Sequence, residues 1–303
     1  MKKTAFIAAA VCLAALFNSC NNTMEGKNTH SSGEIDLYLE ESYKPLFETS
    51  IYTFEGQYPH AVLHPHYVTE SGAIKAFFDG KTSTICITRE FTDDEKKVLR
   101  AKNVEVRSDK MAKDAVALIV NPNNPDSTIT VDRVIRILKG EEKTWGSLQT
   151  DINVVFDNVN SANFNYLKKL AGISEVPSNI FAVKSNEEVI EYVKNNKSAL
   201  GIIGVNWISD EDDPSVLDFL DGITVMEVAE KEGKEGFKPY QSYIYTKEYP
   251  LTREVWLINK AGRQTLNTGF VLFMIGEKGQ LIIQKSSLVP ANMVARLMQI
   301  NVE

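Results

Sequence analysis

Beyond residue 33 the chain alternates short apolar runs with amphipathic stretches. Ile35–Leu39, Ala61–Leu63, Thr84–Ile87, Ala115–Val120, Asn153–Phe156, Ile180–Val183, Ala199–Ile203 and Ile223–Val228 have the length and composition of buried strands. Between them, Tyr43–Phe54, Gly72–Phe78, Asp93–Lys102, Val131–Leu138, Asn163–Ala171, Asn186–Asn195 and Gly279–Ser286 space their apolar residues as helices do. Strands alternating with helices at these lengths predict βαβ units and an α/β fold with mainly parallel sheets. Two turn signals punctuate it. Asn121-Pro122-Asn123-Asn124-Pro125 follows a strand and blocks both helix and interior pairing, and Lys231–Pro239 is rich in Gly, Lys and Glu. They are consistent with a discontinuous first domain and a second domain inserted between them.

The first twenty residues stand outside this pattern. Lys2 and Lys3 precede an apolar run from Ala5 to Phe17, the layout of an export signal and too short for a comfortable bilayer span. Ser19 before Cys20 is similar to the lipobox of bacterial lipoproteins, which implies that Cys20 is lipidated and begins the mature chain. An ordinary secretory peptide cleaved nearby is the alternative, although no A-x-A-type cleavage site competes. Residues 21–33, NNTMEGKNTHSSG, lack apolar periodicity and suit a flexible tether.

Composition adds limits. A 303-residue chain with 43% hydrophobic and 24% charged residues is of globular type, long enough for about two domains at roughly 150 residues each. Removing residues 1–19 takes away Lys2 and Lys3 and no acid, so the 33 basic and 40 acidic side chains become 31 and 40. That acidity gives no footprint for nucleic acid. With Cys12 removed and Cys20 carrying lipid, Cys86 stands alone; Thr84-Ile85-Cys86-Ile87 reads as a core strand with a buried thiol.

Common catalytic signatures are absent: no Gly-x-x-x-x-Gly-Lys, no Gly-x-Gly-x-x-Gly opening a helix, no His-Glu-x-x-His and no Gly-x-Ser-x-Gly. His60, His64 and His66 share one side of an extended segment, yet no cysteine or carboxylate nearby completes a metal set. Asp210-Glu211-Asp212-Asp213 lacks the spacing of a calcium loop and reads as an acidic loop before a helix. Thr92 with Glu95 reads as a capping box, with Asp93 and Asp94 suiting the positive helix end. No metal and no cofactor are expected.

The order of segments says more than any one of them. A Ser71-Gly72 before a helix, Thr88-Arg89 before an acidic helix, the DAVALIVNP stretch and Gly140–Trp145 come in succession. They are followed by Tyr249-Pro250-Leu251-Thr252-Arg253 and a closing GF…GQ…LVPA. This succession resembles the periplasmic phosphate-binding proteins of ABC transporters over most of residues 34–300. The resemblance implies a two-lobed periplasmic-binding-protein fold with two crossovers and an interlobe ligand cleft. The domains would be a signal peptide at 1–19, a tether at 20–33, lobe 1 at 34–117 and 240–303, and lobe 2 at 118–239.

Carried over by position, the resemblance implies ligand contacts from Ser42 and Tyr43, from Ser71, Gly72, Thr88 and Arg89, and from Asn158, Asn160 and Ser161. Helix starts there would offer free N–H groups and a positive dipole end to an anion, and Arg89 a two-pronged donor. Glu40 and Glu41 are unwelcome beside an anion unless turned away. Phe156 stands where the family has an arginine, and Ser161-Ala162 where it has Gly-Thr, so the identity of the anion stays open. Phe156, Phe164 and Trp207 read as packing residues, with an aromatic cleft wall for an organic ligand as the alternative.

The resemblance thus implies a non-enzymatic, monomeric solute-binding lipoprotein, anchored in the bacterial cell envelope and facing the periplasm. It would capture phosphate or a related oxyanion for an ABC permease. A divergent, transport-silent member of the same fold, acting as a sensor or a cell-envelope interaction component, is the alternative. A phosphoester hydrolase lacks a nucleophile or metal set.

Overall fold

Inward-facing Ile35, Leu37 and Leu39 alternate with exposed Glu34 and Asp36 along β1 (Ser32–Glu40), so one face of this strand enters the core. The computed structural model describes residues 28–209, 214–260 and 264–292. A 3-10 turn at Glu41–Tyr43 runs straight into α1 (Lys44–Gln57), with Pro45 in its first turn, where a missing N–H is harmless. Then follow β2 (His60–Val68), α2 (Glu70–Phe78), β3 (Thr84–Ile87), α3 (Asp93–Ala101) and the 15-residue β4 (Val106–Val120). The chain continues through β5 (Thr128–Thr130), α4 (Val131–Leu138), the short pair β6 (Thr144–Trp145) and β7 (Thr150–Asp151), and β8 (Asn153–Phe156). Next come α5 (Ala162–Ala171), β9 (Ile180–Ala182), α6 (Asn186–Asn195) and β10 (Ala199–Gly204). After a second 3-10 turn at Val205–Trp207 lie α7 (Pro214–Asp221), β11 (Thr224–Val225), β12 (Glu227–Ala229), β13 (Gly236–Phe237) and α8 (Gln241–Thr246). The last elements are β14 (Thr252–Lys260), α9 (Leu266–Ile275), α10 (Glu277–Lys285) and β15 (Val289–Pro290).

Side-chain caps set most helix starts. Thr92, Thr130, Ser161, Ser185 and Thr265 each accept a backbone N–H from the first turn, and Thr92 with Glu95 forms the full capping box. The helix expected to open at Ser71-Gly72 opens earlier: Thr69 is its cap, accepting from the Gly72 N–H at 3.2 Å.

The main sheet runs β2-β1-β3-β14-β4-β10-β8-β9. Its flanks are parallel, β1 with β2 and β3, and β8 with β9 and β10. Its middle is antiparallel, because β14 pairs with both β3 and β4, and β10 pairs with β4. Val106–Ala115 of β4 lies against β14, whereas Val116–Val120 lies against β10. One strand therefore serves both halves of the molecule. The expected strand Ile223–Val228 is instead divided. Thr224-Val225 pairs with β4, the Met226 N–H still reaches the Leu118 carbonyl, and Glu227–Ala229 pairs with β5.

This topology places two switch points. The chain leaves β1 for β2 on one side and reaches β3 on the other; likewise β8 has β9 on one side and β10 on the other. Folds of this kind place ligands at the carboxyl ends of such strands, which here end at Glu40 and at Phe156, followed by Asp157. Beneath them a continuous apolar core includes Leu37, Leu39, Phe47, Val116, Leu118, Val155 and Phe270.

The proposed lipidation site Cys20, the signal segment 1–19, the tether up to residue 27 and the acidic run Asp210–Asp213 lie outside the described residues. Among the described residues no helix is long and apolar enough to cross a membrane.

Candidate functional site

The carboxyl ends of β1 and β8 meet around Glu40. Its side chain is fully buried and accepts two backbone hydrogen bonds. The Ser42 N–H donates to Oε2 at 2.9 Å and the Ala162 N–H to Oε1 at 3.3 Å. These donors are free N–H groups at the start of the turn leading into α1 and at the start of α5, the kind that helix beginnings leave for an acceptor. Ser42 Oγ accepts from Asn163 Nδ2 at 3.2 Å, so a second bond joins the same two elements.

Asn186, at the start of α6, ties the cluster together. Its Nδ2 donates to Glu41 Oε2 at 2.6 Å and to Asp157 Oδ2 at 3.4 Å; its Oδ1 accepts from Asn163 Nδ2 at 3.4 Å and from the Gly204 N–H at 3.3 Å. Asp157 also accepts from Ser161 Oγ at 2.7 Å. Arg253 closes the cluster from β14. It donates from Nε to Asp114 Oδ2 at 2.8 Å, and Tyr43 Oη donates to the same oxygen at 2.8 Å. Although Nη2 lies 2.8 Å from that oxygen, neither Nη1 nor Nη2 makes a hydrogen bond, and the Oδ1 atoms of Asp114 and Asn163 are likewise unpartnered.

Burial raises the pKa values of all three carboxyl groups of the cluster, and neighbouring acids add to it for Glu40 and Glu41. Burial pushes Glu40 up to about 8, helped by Asp157 and Glu41, while Arg253 and the Ala162 N–H pull it down. Burial likewise pushes Glu41 up to about 7, with Asp157 and Glu187 adding to it and Asn186 opposing. Asp157 is raised by burial against the bonds from Ser161 and Asn158. Burial pulls Arg253 down, but Tyr43, Asp114 and Glu40 outweigh it and raise it.

The residues singled out from the sequence divide into two groups. Ser42, Tyr43 and Ser161 belong to the cluster, Tyr43 through its ring and hydroxyl as well as its place in the turn. Asn158 accepts from the Asn160 N–H at 2.9 Å, shaping the loop before α5, and Asn160 is exposed. On the adjacent edge, the Thr88 N–H and hydroxyl both donate to Glu70 Oε1, at 2.9 and 2.6 Å. Ser71 is exposed, and Gly72 is engaged by the Thr69 cap. Arg89 holds Glu95 with both terminal nitrogens, at 2.7 and 2.8 Å, so its fork is committed to the capping box of α3.

Glu40, Asp157, Asn163, Asn186 and Arg253 were missed as site residues. Arg253 carried a signal: it shares strand parity with buried Val255 and Leu257, so a cation lies on an apolar face. Phe156 and Phe164 pack edge to face, centroids 5.0 Å apart, as packing residues do. His64 pairs with Glu34 and His66 with Asp36, both at 2.7 Å across β1 and β2. Cys86 is buried in the core. Among the described residues no three His, Cys, Asp or Glu side chains are placed to hold a metal ion.

A cavity of about 330 Å³ opens beside the cluster, lined by Lys44, Glu48, Glu187, Asn206, Trp207 and Phe219. Trp207 is thus a buried wall whose Nε1 has no partner. A larger cavity of about 580 Å³, lined by Val205, Leu220, Lys238 and Tyr240 among others, includes none of the residues around Glu40.

A buried polar cluster at two facing switch points is the arrangement of a two-lobed binding protein. Residues 29–278 match the family model of the PBP superfamily domain, and the chain belongs to that superfamily. It is 22% identical to the phosphate-binding protein PstS of Staphylococcus haemolyticus over 247 residues, 78% of this chain and 74% of the relative. It is also 22% identical to PstS of Staphylococcus aureus strain USA300 over 294 residues, 92% and 86% of the two chains. In fold it is similar to a Clostridium perfringens protein solved with bound phosphate, with a TM-score of 0.73, 20% identity and coverage of 86% of this chain and all of the other. The ABC-type phosphate transport receptor of Vibrio cholerae is similar too, with a TM-score of 0.66, 18% identity and coverage of 85% and 100%. The α/β two-lobed architecture implied by the sequence resemblance is therefore that of this chain.

Proposed function

We propose that this protein is an extracytoplasmic solute-binding lipoprotein that captures phosphate or a related oxyanion and presents it to an ABC permease. Lobe 1 (34–117 and 240–303) and lobe 2 (118–239) close on the solute, and Cys20 carries the lipid that holds the body at the cell envelope, facing the periplasm. It acts as a monomer and by binding rather than by catalysis. Relatives named as phosphate-binding proteins support this reading. The observation that carries it is the convergence of the Ser42 and Ala162 N–H groups, from the turn before α1 and the start of α5, on the oxygens of one buried acidic group. Two such N–H groups, with Ser42 Oγ and Asn163 beside them, form a seat for an oxygen acceptor.

The test is calorimetric titration of the chain from Asn21 onward with phosphate, sulfate and simple phosphate monoesters, carried to millimolar concentration. Saturable heat with one of them supports capture. Absence of heat and of any thermal shift, from protein with a cooperative unfolding transition, overturns it.

A second reading is favoured by the acidity of the cluster. Glu40, Glu41 and Asp157 lie near enough for their charges to interact, and such acidity suits a sensor or interaction component of the cell envelope that no longer carries solute.

A further inference from the structure

The seat that would receive a solute oxyanion already has an occupant. Glu40 ends β1, and its two carboxyl oxygens take one N–H from each side of the interlobe junction, Ser42 at 2.9 Å and Ala162 at 3.3 Å. The group is wholly excluded from solvent. Around it stand polar atoms with bonding capacity left over. Neither Nη1 nor Nη2 of Arg253 makes a hydrogen bond, although Nη2 lies 2.8 Å from Asp114 Oδ2, and Asn163 Oδ1 has no donor. Arg253 is 6% exposed and near enough to Glu40 to act on its charge. A buried guanidinium whose Nη1 makes no hydrogen bond and whose Nη2 has only an ion pair with Asp114 is uncommon unless another acceptor completes it.

We propose that Glu40 is an internal ligand of the interlobe seat: its carboxyl group holds the place of a solute oxyanion, latches β1 to α5, and must be displaced before a solute binds. The proposal rests on the oxyanion reading of the seat for the nature of the displacing solute, but the latch itself does not depend on it. A latch of this kind keeps the lobes closed without solute. It also subtracts from solute affinity, since the N–H groups of Ser42 and Ala162 are exchanged from one acceptor to another rather than satisfied anew. The Glu41–Asn186 and Ser42–Asn163 bonds reinforce the closed state, but neither places an acidic group between two helix starts.

The test uses Glu40→Ser. Serine can still cap the Ser42 N–H through its hydroxyl, but it carries no charge and is too short to bridge to Ala162. Titration with inorganic phosphate is expected to show at least tenfold tighter binding by E40S than by the unaltered chain. Small-angle scattering without ligand is expected to show a compact unaltered protein and a more extended E40S that contracts on adding phosphate. Equal affinities, or loss of phosphate binding in E40S, overturn the proposal, the latter making Glu40 a contact to the solute instead of its substitute. If neither protein binds phosphate, the oxyanion reading falls, and scattering alone decides the latch: expansion of E40S supports it and identical profiles overturn it. Should E40S fail to unfold cooperatively, Glu40→Gln, which keeps the size and one acceptor, carries the same two measurements.

Discussion

Asp114 and Arg253 form an ion pair inside the protein, Oδ2 to Nε at 2.8 Å, directly beneath the seat that Glu40 occupies. The two residues face each other from β4 and β14, register partners in the sheet, and the Tyr43 hydroxyl joins them. Arg253 also lies under the Tyr43 ring, 5.7 Å from its centroid. Arg253 pulls Glu40 and Asp157 downward, yet burial outweighs it and leaves both raised.

Removing one member of that pair strands the other. Arg253→Met is expected to lower stability by about 3–5 kcal/mol, because Asp114 is left charged and buried. The double variant Arg253→Met, Asp114→Leu should recover much of that loss. Urea unfolding of the three proteins, analysed as a double-mutant cycle, checks both statements.

Glu40 gives the protein a pH-dependent stability with a defined sign. Its folded pKa, about 8, lies above its ordinary value of 4.5, so between these values the folded state holds a proton that the unfolded state has released. The contribution is complete below the ordinary value and is lost as pH rises through about 8. Glu41, at about 7, acts in the same direction. The urea midpoint should therefore fall from pH 5 to pH 8.5, and Glu40→Gln should flatten that slope. An unchanged slope in E40Q would contradict the assignment.

Protonation also tunes the latch. Above about pH 8 Glu40 is ionised and competes more strongly for the N–H groups of Ser42 and Ala162. The ratio of phosphate affinities between E40S and the unaltered chain should widen from pH 6.5 to pH 9. Taking the ratio cancels the titration of phosphate itself, and calorimetry at three pH values measures it.

Asn186 satisfies partners on three sides. Asn186→Ala leaves the buried Gly204 N–H without its acceptor and removes a bond to Glu41. The expected cost is about 1–3 kcal/mol in chemical denaturation, the usual penalty of a buried polar group left unpaired.

Arg89 separates a sequence expectation from the geometry. Paired with Glu95 and partly exposed, it should contribute no more than about 1 kcal/mol of stability. Arg89→Ala should leave phosphate titration unchanged, and a tenfold loss of affinity would return Arg89 to the site.

Where side-chain patterning alone decides an element, the chain is legible from its residues. Asn153–Phe156 and Thr84–Ile87 are unbroken apolar runs, and Val131–Leu138 places Val134, Ile137 and Leu138 on one face. The first two thirds of β4 are hidden, since Arg107, Asp109, Lys110 and Lys113 suit a loop as well as a strand. Only pairing with β14 makes them extended. The site divides in the same way. Ser42 and Ser161 declare themselves as hydroxyls before helices, whereas Glu40 acquires its role from an N–H 122 residues away, which no local pattern contains. Ser71 illustrates the converse, a plausible helix opener displaced by Thr69 two residues earlier.

The continuity of β4 sets the mechanics of the whole molecule. A strand that pairs with β14 along one stretch and with β10 along the next cannot swing like a door on a loose pin. Parting the lobes has to twist a hydrogen-bonded ribbon near Ala115 and Val116, so the joint behaves as a leaf spring. The resistance to that twist is shared by the ladder bonds on either side of that point.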